Sequence, residues 1–303
     1  MTTVPDGAVP GSAVPKNVGV LGGGRMGAGI AHAFCLAGAS VTVVERDQAS
    51  SDQARVRVEA SIAASVKRGT TQETGEALSA RMSYSTDYSD FAAAGLVVEA
   101  VPESLELKLA ALSGVEAVIS ADAWLASNTS SISITTLASN LSRPERLCGL
   151  HFFNPVPASK LVEIVVGESS ADELIANARE WVVALGKTPV VARDVPGFAS
   201  SRLGLALSLE AMRMVEDGVA SAEDIDAAMV LGYGHPMGPL KLTDVVGLDV
   251  RLGIAEYLEQ SLGERFSPPE VLRAKVARGE LGRKSGQGFY TWTTPAETQE
   301  NKS

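Results

Sequence analysis

Residues 16–45, KNVGVLGGGRMGAGIAHAFCLAGASVTVVE, decide how the chain is read. Asn17–Leu21 is a short apolar run, and Gly22-Gly23-Gly24-Arg25-Met26-Gly27 follows it as G-x-G-x-x-G. Residues 28–37 are small and suited to a helix, Gly38 offers a stop, and residues 41–44 form a β-branched run closed by Glu45. The order is strand, glycine turn, helix, turn, strand. In such a unit Gly22 permits the tight turn, Gly24 lets the backbone approach a pyrophosphate, and Gly27 lets the helix pack close to the strand. The N–H groups that open the helix, around Arg25 and Met26, then face the phosphates. Glu45 lies 18 residues after Gly27 (45 − 27), near the usual distance for an acid that grips the adenosine ribose hydroxyls. A carboxylate there repels a 2′-phosphate, so the unit reads as a dinucleotide site for NAD. Arg46, beside it, leaves room for some NADP tolerance.

The bulk numbers narrow the field. With 303 residues the chain has length for two domains and ample surface to bury a core. A net charge of −10 argues against general nucleic-acid or membrane-surface binding, so anionic ligands need locally positive sites. Cys35 and Cys148 sit in apolar runs without metal-ligand spacing. They read as buried free thiols of a reducing cytoplasm, and no metal site is expected. No apolar run is long enough to span a membrane. Residues 1–15 show no targeting pattern and read as a flexible tail.

Strands and helices alternate as far as Arg193. Short apolar runs at 82–86, 95–101, 124–128, 146–153, 161–166 and 189–192 read as strands, and 48–68, 103–119 and 171–185 as helices. Residues 70–80 read as a polar surface connection. After Pro196 the segments 197–217, 222–231, 240–262 and 269–278 all read as helices or helix pairs. The expected fold class is α/β: a Rossmann-type, doubly wound, mainly parallel sheet over residues 16–193, then an all-α domain over 194–303.

Ligands of open α/β sheets bind outside the carboxyl ends of the strands. Those ends fall at Gly22, at Val101-Pro102-Glu103, at Asn128-Thr129-Ser130, and at His151 and Asn154. Of three histidines, His32 reads as structural within the first helix and His235 as part of a Gly/Pro-rich turn. His151 gains significance from Glu163, the only charge within Leu161–Val166. A carboxylate in an apolar strand is costly unless paired, and His151 lies 12 residues upstream on the preceding strand (163 − 151). Such a pair is either a catalytic dyad or a structural ion pair. As a dyad, the carboxylate fixes the imidazole tautomer and the ring exchanges a proton, the acid–base service that alcohol oxidation requires. Ser130 is then placed to hydrogen-bond the reacting oxygen.

Five stretches carry a resemblance: SNTSS at 127–131, GLHFFNPVPASKLVE at 149–163, DVPGF at 194–198, GHPMGPLKLTDVVGLD at 234–249 and LGRKSGQGFY at 281–290. Together they resemble the L-3-hydroxyacyl-CoA dehydrogenase family, which includes 3-hydroxybutyryl-CoA dehydrogenases, over about residues 16–292. The resemblance implies NAD-dependent, reversible oxidation of an L-3-hydroxyacyl-CoA to the 3-ketoacyl-CoA, as in fatty-acid β-oxidation. It implies His151 as acid or base, Glu163 as its orienting partner, and Ser130 as a donor to the substrate oxygen. It places Glu103, Lys108, Asn128 and Asn154 around the cofactor or the active-site loop. It also places Ser61 and Lys67 or Arg68 near the CoA phosphates. The helical domain is similar to the family's dimerisation and substrate-closing domain, implying a homodimer. One departure stands out: where the family pattern is PGF-x-x-N-R, this chain reads PGFASSR, with Ser201 in place of asparagine. The competing readings are a dehydrogenase of a free hydroxy acid or sugar acid, as in the lambda-crystallin-like branch, and a non-catalytic NAD-binding protein.

Overall fold

The opening stretch folds as strand β1 (Asn17–Leu21), a glycine turn, helix α1 (Arg25–Leu36) and strand β2 (Ser40–Val44). The computed structural model describes residues 14–292. The chain divides into two compact units, the first ending at Val195 and the second beginning at Pro196. The reading of residues 1–15 as a flexible tail falls mostly outside the described residues. Its last two positions are corrected: Val14 is buried in the first unit's core, and Pro15 packs close to Gly95.

In the first unit β2 leads into the long helix α2 (Gln48–Arg68), whose first turn is capped by the Asp47 carboxylate accepting from Ser50 N. Within the expected polar connection lies a short helix, α3 (Gly75–Ser79), capped by the Thr74 hydroxyl. Next come β3 (Met82–Ser85), β4 (Leu96–Glu99), α4 (Leu105–Glu116), β5 (Trp124–Ser127), α5 (Ile134–Ala138), β6 (Leu147–Phe152), β7 (Leu161–Val166), α6 (Asp172–Ala184) and β8 (Thr188–Arg193). The eight strands form one sheet in the order β3-β2-β1-β4-β5-β6-β7-β8. Every neighbouring pair is parallel except β6–β7. The chain reverses its direction of travel across the sheet between β1 and β4, the switch point at which such sheets bind ligands. Central strands are buried on both faces, which is why they read as continuous apolar runs.

The second unit is helical: α7 (Ser200–Glu216), α8 (Ala222–Ala227), α9 (Pro239–Val246), α10 (Leu248–Leu262) and α11 (Glu270–Ala277). A π-helical turn, Ala228–Gly232, extends α8. Gly247, at φ +110°, splits the expected 240–262 segment into α9 and α10, a backbone angle that L side chains rarely adopt. Leu205, Leu209, Met212, Leu240, Leu248 and Leu258 form its core. Asp244 ties the C-terminal turn to that core. Its carboxylate accepts from the N–H groups of Phe289 and Tyr290, at 2.9 Å each, and from Trp292 Nε1 at 2.8 Å. Gly288 allows this approach, because a Cβ there lies 2.3 Å from Asp244 Oδ1. Gly288→Ala is therefore expected to cost about 1–3 kcal/mol by overpacking. Denaturant unfolding of the purified protein checks this; an unshifted midpoint contradicts it.

Candidate active site

The nucleotide loop has the geometry its glycines require. Gly22 sits at φ +91°, and a Cβ on Gly27 lies only 1.7 Å from the Gly22 carbonyl oxygen, so α1 can start this close to β1 only with glycine there. A Cβ on Gly24, by contrast, meets nothing within 4 Å, which marks the open side of the turn. Gly24 precedes α1 without any side-chain cap, and no acid occupies the first turn, so the N–H groups there are not claimed by a side chain. Glu45 curls back over the loop: Oε1 accepts from Gly23 N at 2.6 Å and Oε2 from Arg46 N at 3.3 Å. A cavity of about 460 Å³ runs from Gly22 and Gly24 past Glu45, Arg46 and Arg57 to Val101 and Pro102. Its size suits an organic ligand, and an open glycine turn beside a carboxylate at the end of β2 fits a dinucleotide. Arg25 is exposed beside the turn, whereas Met26 faces a second cavity.

Beneath that second cavity lies a buried charged network. Glu99, 0% exposed at the end of β4, pairs with Lys108 Nζ, 1% exposed, at 2.7 Å. The same carboxylate accepts from Ser127 Oγ at 2.6 Å and Val101 N at 2.7 Å. Lys108 also donates to the Val101 carbonyl and lies 3.4 Å from Glu103. Glu103 in turn gathers the loop after β5, accepting from Thr129 Oγ1 at 2.6 Å, Ser130 N at 2.9 Å and Ser131 N at 3.1 Å. Burial pushes the Glu103 carboxyl up, but the Thr129 hydroxyl, Lys108 and the loop N–H groups outweigh it and hold it below the usual carboxylate range. A carboxyl depressed by folding stabilises the fold above its unfolded pKa, and that contribution is lost as pH falls through its folded value.

His151 and Glu163 stand directly opposite each other in the antiparallel β6–β7 register. Nδ1 lies 2.8 Å from Glu163 Oε2. The carboxylate can only accept, so Nδ1 carries the proton and donates it. Both groups are buried, at 6% and 0% exposure, and the Phe153 ring centroid is 4.4 Å from that of His151. A cavity of about 350 Å³ is lined by His151, Met26, Glu103, Asn128, Ser130 and Asn154. Asn128 supports the histidine strand, its Oδ1 accepting from Phe152 N at 2.9 Å. The Ser130 hydroxyl donates to Glu103 at 3.3 Å.

Several sequence candidates lie elsewhere. Ser61 turns its hydroxyl to the Arg57 carbonyl within α2, and Lys67 is exposed. Only Arg68 of that trio lines a third cavity, about 550 Å³, shared with His32, Ser65 and Lys187. His32 Nε2 lies 3.1 Å from Ser65 Oγ, and burial, reinforced by Arg68, pushes its pKa down to about 4. It is neutral at pH 7. Ser201 lies in the first turn of α7, in the second unit. Among the described residues no cluster of His, Cys, Asp or Glu is placed to hold a metal, and no helix is long and apolar enough to cross a membrane. Cys35 and Cys148 are both buried and free. The sequence reading missed Glu99 and Ser127, although Glu99 is the lone charge of an apolar strand, the same signal that singled out Glu163. Lys187, which donates to the carbonyls of Val156 and Ser159 after the histidine strand, carried no such signal.

An open glycine turn, an acid after the second strand and an imidazole–carboxylate pair on one sheet are features found together in nicotinamide-dependent dehydrogenases. Comparison with known proteins agrees. Residues 17–195 match the family model of the 3-hydroxyacyl-CoA dehydrogenase NAD binding domain, and residues 197–292 match that of the C-terminal domain. The chain is 42% identical over 275 residues to a probable 3-hydroxybutyryl-CoA dehydrogenase of Deinococcus radiodurans, covering 90% of this chain and 99% of that one. It is 42% identical over 282 residues to a 3-hydroxybutyryl-CoA dehydrogenase of Mycobacterium tuberculosis, covering 91% and 98%. The crystal structure of (S)-3-hydroxybutyryl-CoA dehydrogenase from Ralstonia eutropha superposes with a TM-score of 0.88 at 37% identity, over 93% of this chain and all of that one. The chain belongs to the 3-hydroxyacyl-CoA dehydrogenase family.

Removing Glu99 alone leaves a buried ammonium without its main partner. Glu99→Ala is expected to destabilise the protein by about 3–5 kcal/mol, and Glu99→Leu combined with Lys108→Met to recover much of that loss. A double-mutant cycle by denaturant unfolding measures the coupling; additive effects overturn it.

Proposed function

We propose that this protein oxidises the hydroxyl of a short-chain L-3-hydroxyacyl-CoA, reversibly and with NAD, using His151 as acid and base. The observation that carries the reading is the buried His151–Glu163 pair, 2.8 Å apart in a cavity that also holds Asn128 and Ser130. Glu163 holds the proton on Nδ1 and so assigns proton exchange with the substrate hydroxyl to Nε2. It also stabilises the imidazolium that forms when that proton is taken. Ser130 is assigned a hydrogen bond to the reacting oxygen, and Glu103 holds the serine's loop in place. Asn128 steadies the histidine strand from the cavity side. Gly22, Gly24 and Gly27 are assigned the NAD pyrophosphate and Glu45 the adenosine ribose, a reading supported by the open side of the turn and by the cavity they share with Arg46 and Val101. Bound NAD supplies the hydride acceptor.

Arg68 is the positive group best placed for the CoA phosphates, since it lines a cavity and Lys67 does not. Ser201 occupies the position at which the family pattern carries a substrate-contacting asparagine, and we assign it the same contact with a shorter reach. The names of the relatives support a four-carbon acyl group. The buried free thiols support a cytoplasmic setting, and exposed Leu203, Leu231 and Tyr233 in the second unit support a homodimer.

His151→Ala is expected to lower kcat about 10²- to 10⁴-fold while NADH binding, read by fluorescence titration, persists. Glu163→Gln is expected to lower kcat with little change in KM. Stopped assays on acetoacetyl-CoA check both, and wild-type turnover in either variant overturns the acid–base assignment. Glu45→Ala is expected to lower the NAD:NADP ratio of kcat/KM about tenfold, as loss of one charge repulsion of about 1.4 kcal/mol. An unchanged ratio removes the ribose contact.

A further inference from the structure

Lys187 stands at a corner of the first unit that two elements fix. Its N–H closes the end of α6 by donating to the Val182 carbonyl at 3.1 Å, with Gly186 left-handed at φ +69°, and β8 begins at the next residue. From that corner the side chain reaches the connection between β6 and β7. Its ammonium donates to the carbonyls of Val156 and Ser159, at 2.6 and 2.5 Å. Burial alone lowers its pKa, with no neighbouring acid to offset the cost. The charge is instead held by two neutral carbonyls, and such charge-assisted bonds are stronger than those of a neutral donor.

The connection, residues 153–160, joins the strand of His151 to the strand of Glu163. Its first residues, Phe153 and Asn154, line the catalytic cavity. Val156 is buried against α1, where a Cβ on Gly29 lies 2.8 Å from Val156 Cβ. The far end is held by β8, where Thr188 N donates to the Lys160 carbonyl at 2.6 Å. Lys187 bridges these two anchors, with one acceptor near each. Ser159 lies four residues before Glu163 (163 − 159), so the second bond fixes where β7 starts and hence what Glu163 faces.

We propose that Lys187 is a positioning residue of the reaction, clamping the β6–β7 connection so that Glu163 meets His151 and Asn154 keeps its place in the catalytic cavity. This rests on the reading of His151 and Glu163 as the acid–base pair. Both acceptors of the ammonium are main-chain carbonyls, so it acts on the pair through the backbone. The pair depends on a 2.8 Å bond, and a displacement of about 1 Å at a reacting group costs about 10²-fold in rate.

Lys187 also lines the cavity of about 550 Å³ that Pro157 and Ala158 border, so a small solute can reach the space its side chain leaves. The test uses that access. Lys187→Ala is expected to lower kcat with acetoacetyl-CoA about 10- to 100-fold per NADH-binding site, counted by fluorescence titration, with KM changed less than about threefold. Propylammonium added to the assay is expected to restore turnover saturably. Tetramethylammonium at equal concentration, a cation with no N–H to donate, is expected to restore none. Lys187→Met, which fills the space, is expected to lose as much and to gain nothing from propylammonium. Wild-type turnover per site in Lys187→Ala overturns the proposal, since the lysine then supports only the fold. A loss that propylammonium does not relieve, or that tetramethylammonium relieves equally, also overturns it and leaves the dehydrogenase reading intact. No turnover of acetoacetyl-CoA by the wild type removes the dehydrogenase reading, and this inference with it.

Discussion

Glu163 faces His151 because β7 turns back on β6. The six strands before β7 run in one direction, and a parallel β7 needs a crossover long enough to carry the chain back to the start of the sheet. Residues 153–160 are too few for that, so the chain returns antiparallel and the two polar residues meet as cross-strand partners. The pairing also sets the electrostatics. A carboxylate with no exposure is tolerable only against a hydrogen-bonded donor, so the sheet and the dyad stabilise each other. β8, parallel to β7 and in register with it, seals the carboxylate from the other side, with Val190 opposite Glu163.

A second buried charge supports the cavity from below. Glu99 and Lys108 join the end of β4 to the start of α4, and Glu103 links that corner to the loop bearing Ser130. Three ionised groups share this corner, two negative and one positive. The excess negative charge is spread over backbone and hydroxyl donors from residues 101 and 127–131. A half-satisfied version of this network is worse than an apolar core, so its members stand or fall together. Pinning a loop by a carboxylate that five donor groups share is a way to hold Asn128 and Ser130 still without lengthening any strand.

Much of this was legible in the chain because the signals were local. The glycine turn, the β-branched strands and Glu163 as a lone charge in LVEIVV each declare themselves within a few residues. Glu99 is equally legible as the lone charge of LVVE, but the apolar run extends to Val101 and so hides that the strand ends at Glu99. Other features were not legible. The split at Gly247 depends on a backbone angle, and the burial of Val14 depends on its contacts with the core beyond β1. Lys187 acts on carbonyls some thirty residues away, which no spacing rule reports. Arg68 differs from Lys67 only in the way α2 faces a cavity whose other walls come from α1, α6 and the loop after β6.

The charge balance connects these parts. A chain of net charge −10 that handles phosphates and thioesters cannot rely on its overall field to attract them. Its positive groups are local instead: unclaimed N–H groups at the start of α1, Arg68 and Lys187 around one cavity, and Arg251 in the second unit. Each is fixed by packing, so its position carries selectivity as well as attraction. Donors fixed in this way attract an anion at one place, which a diffuse field cannot do.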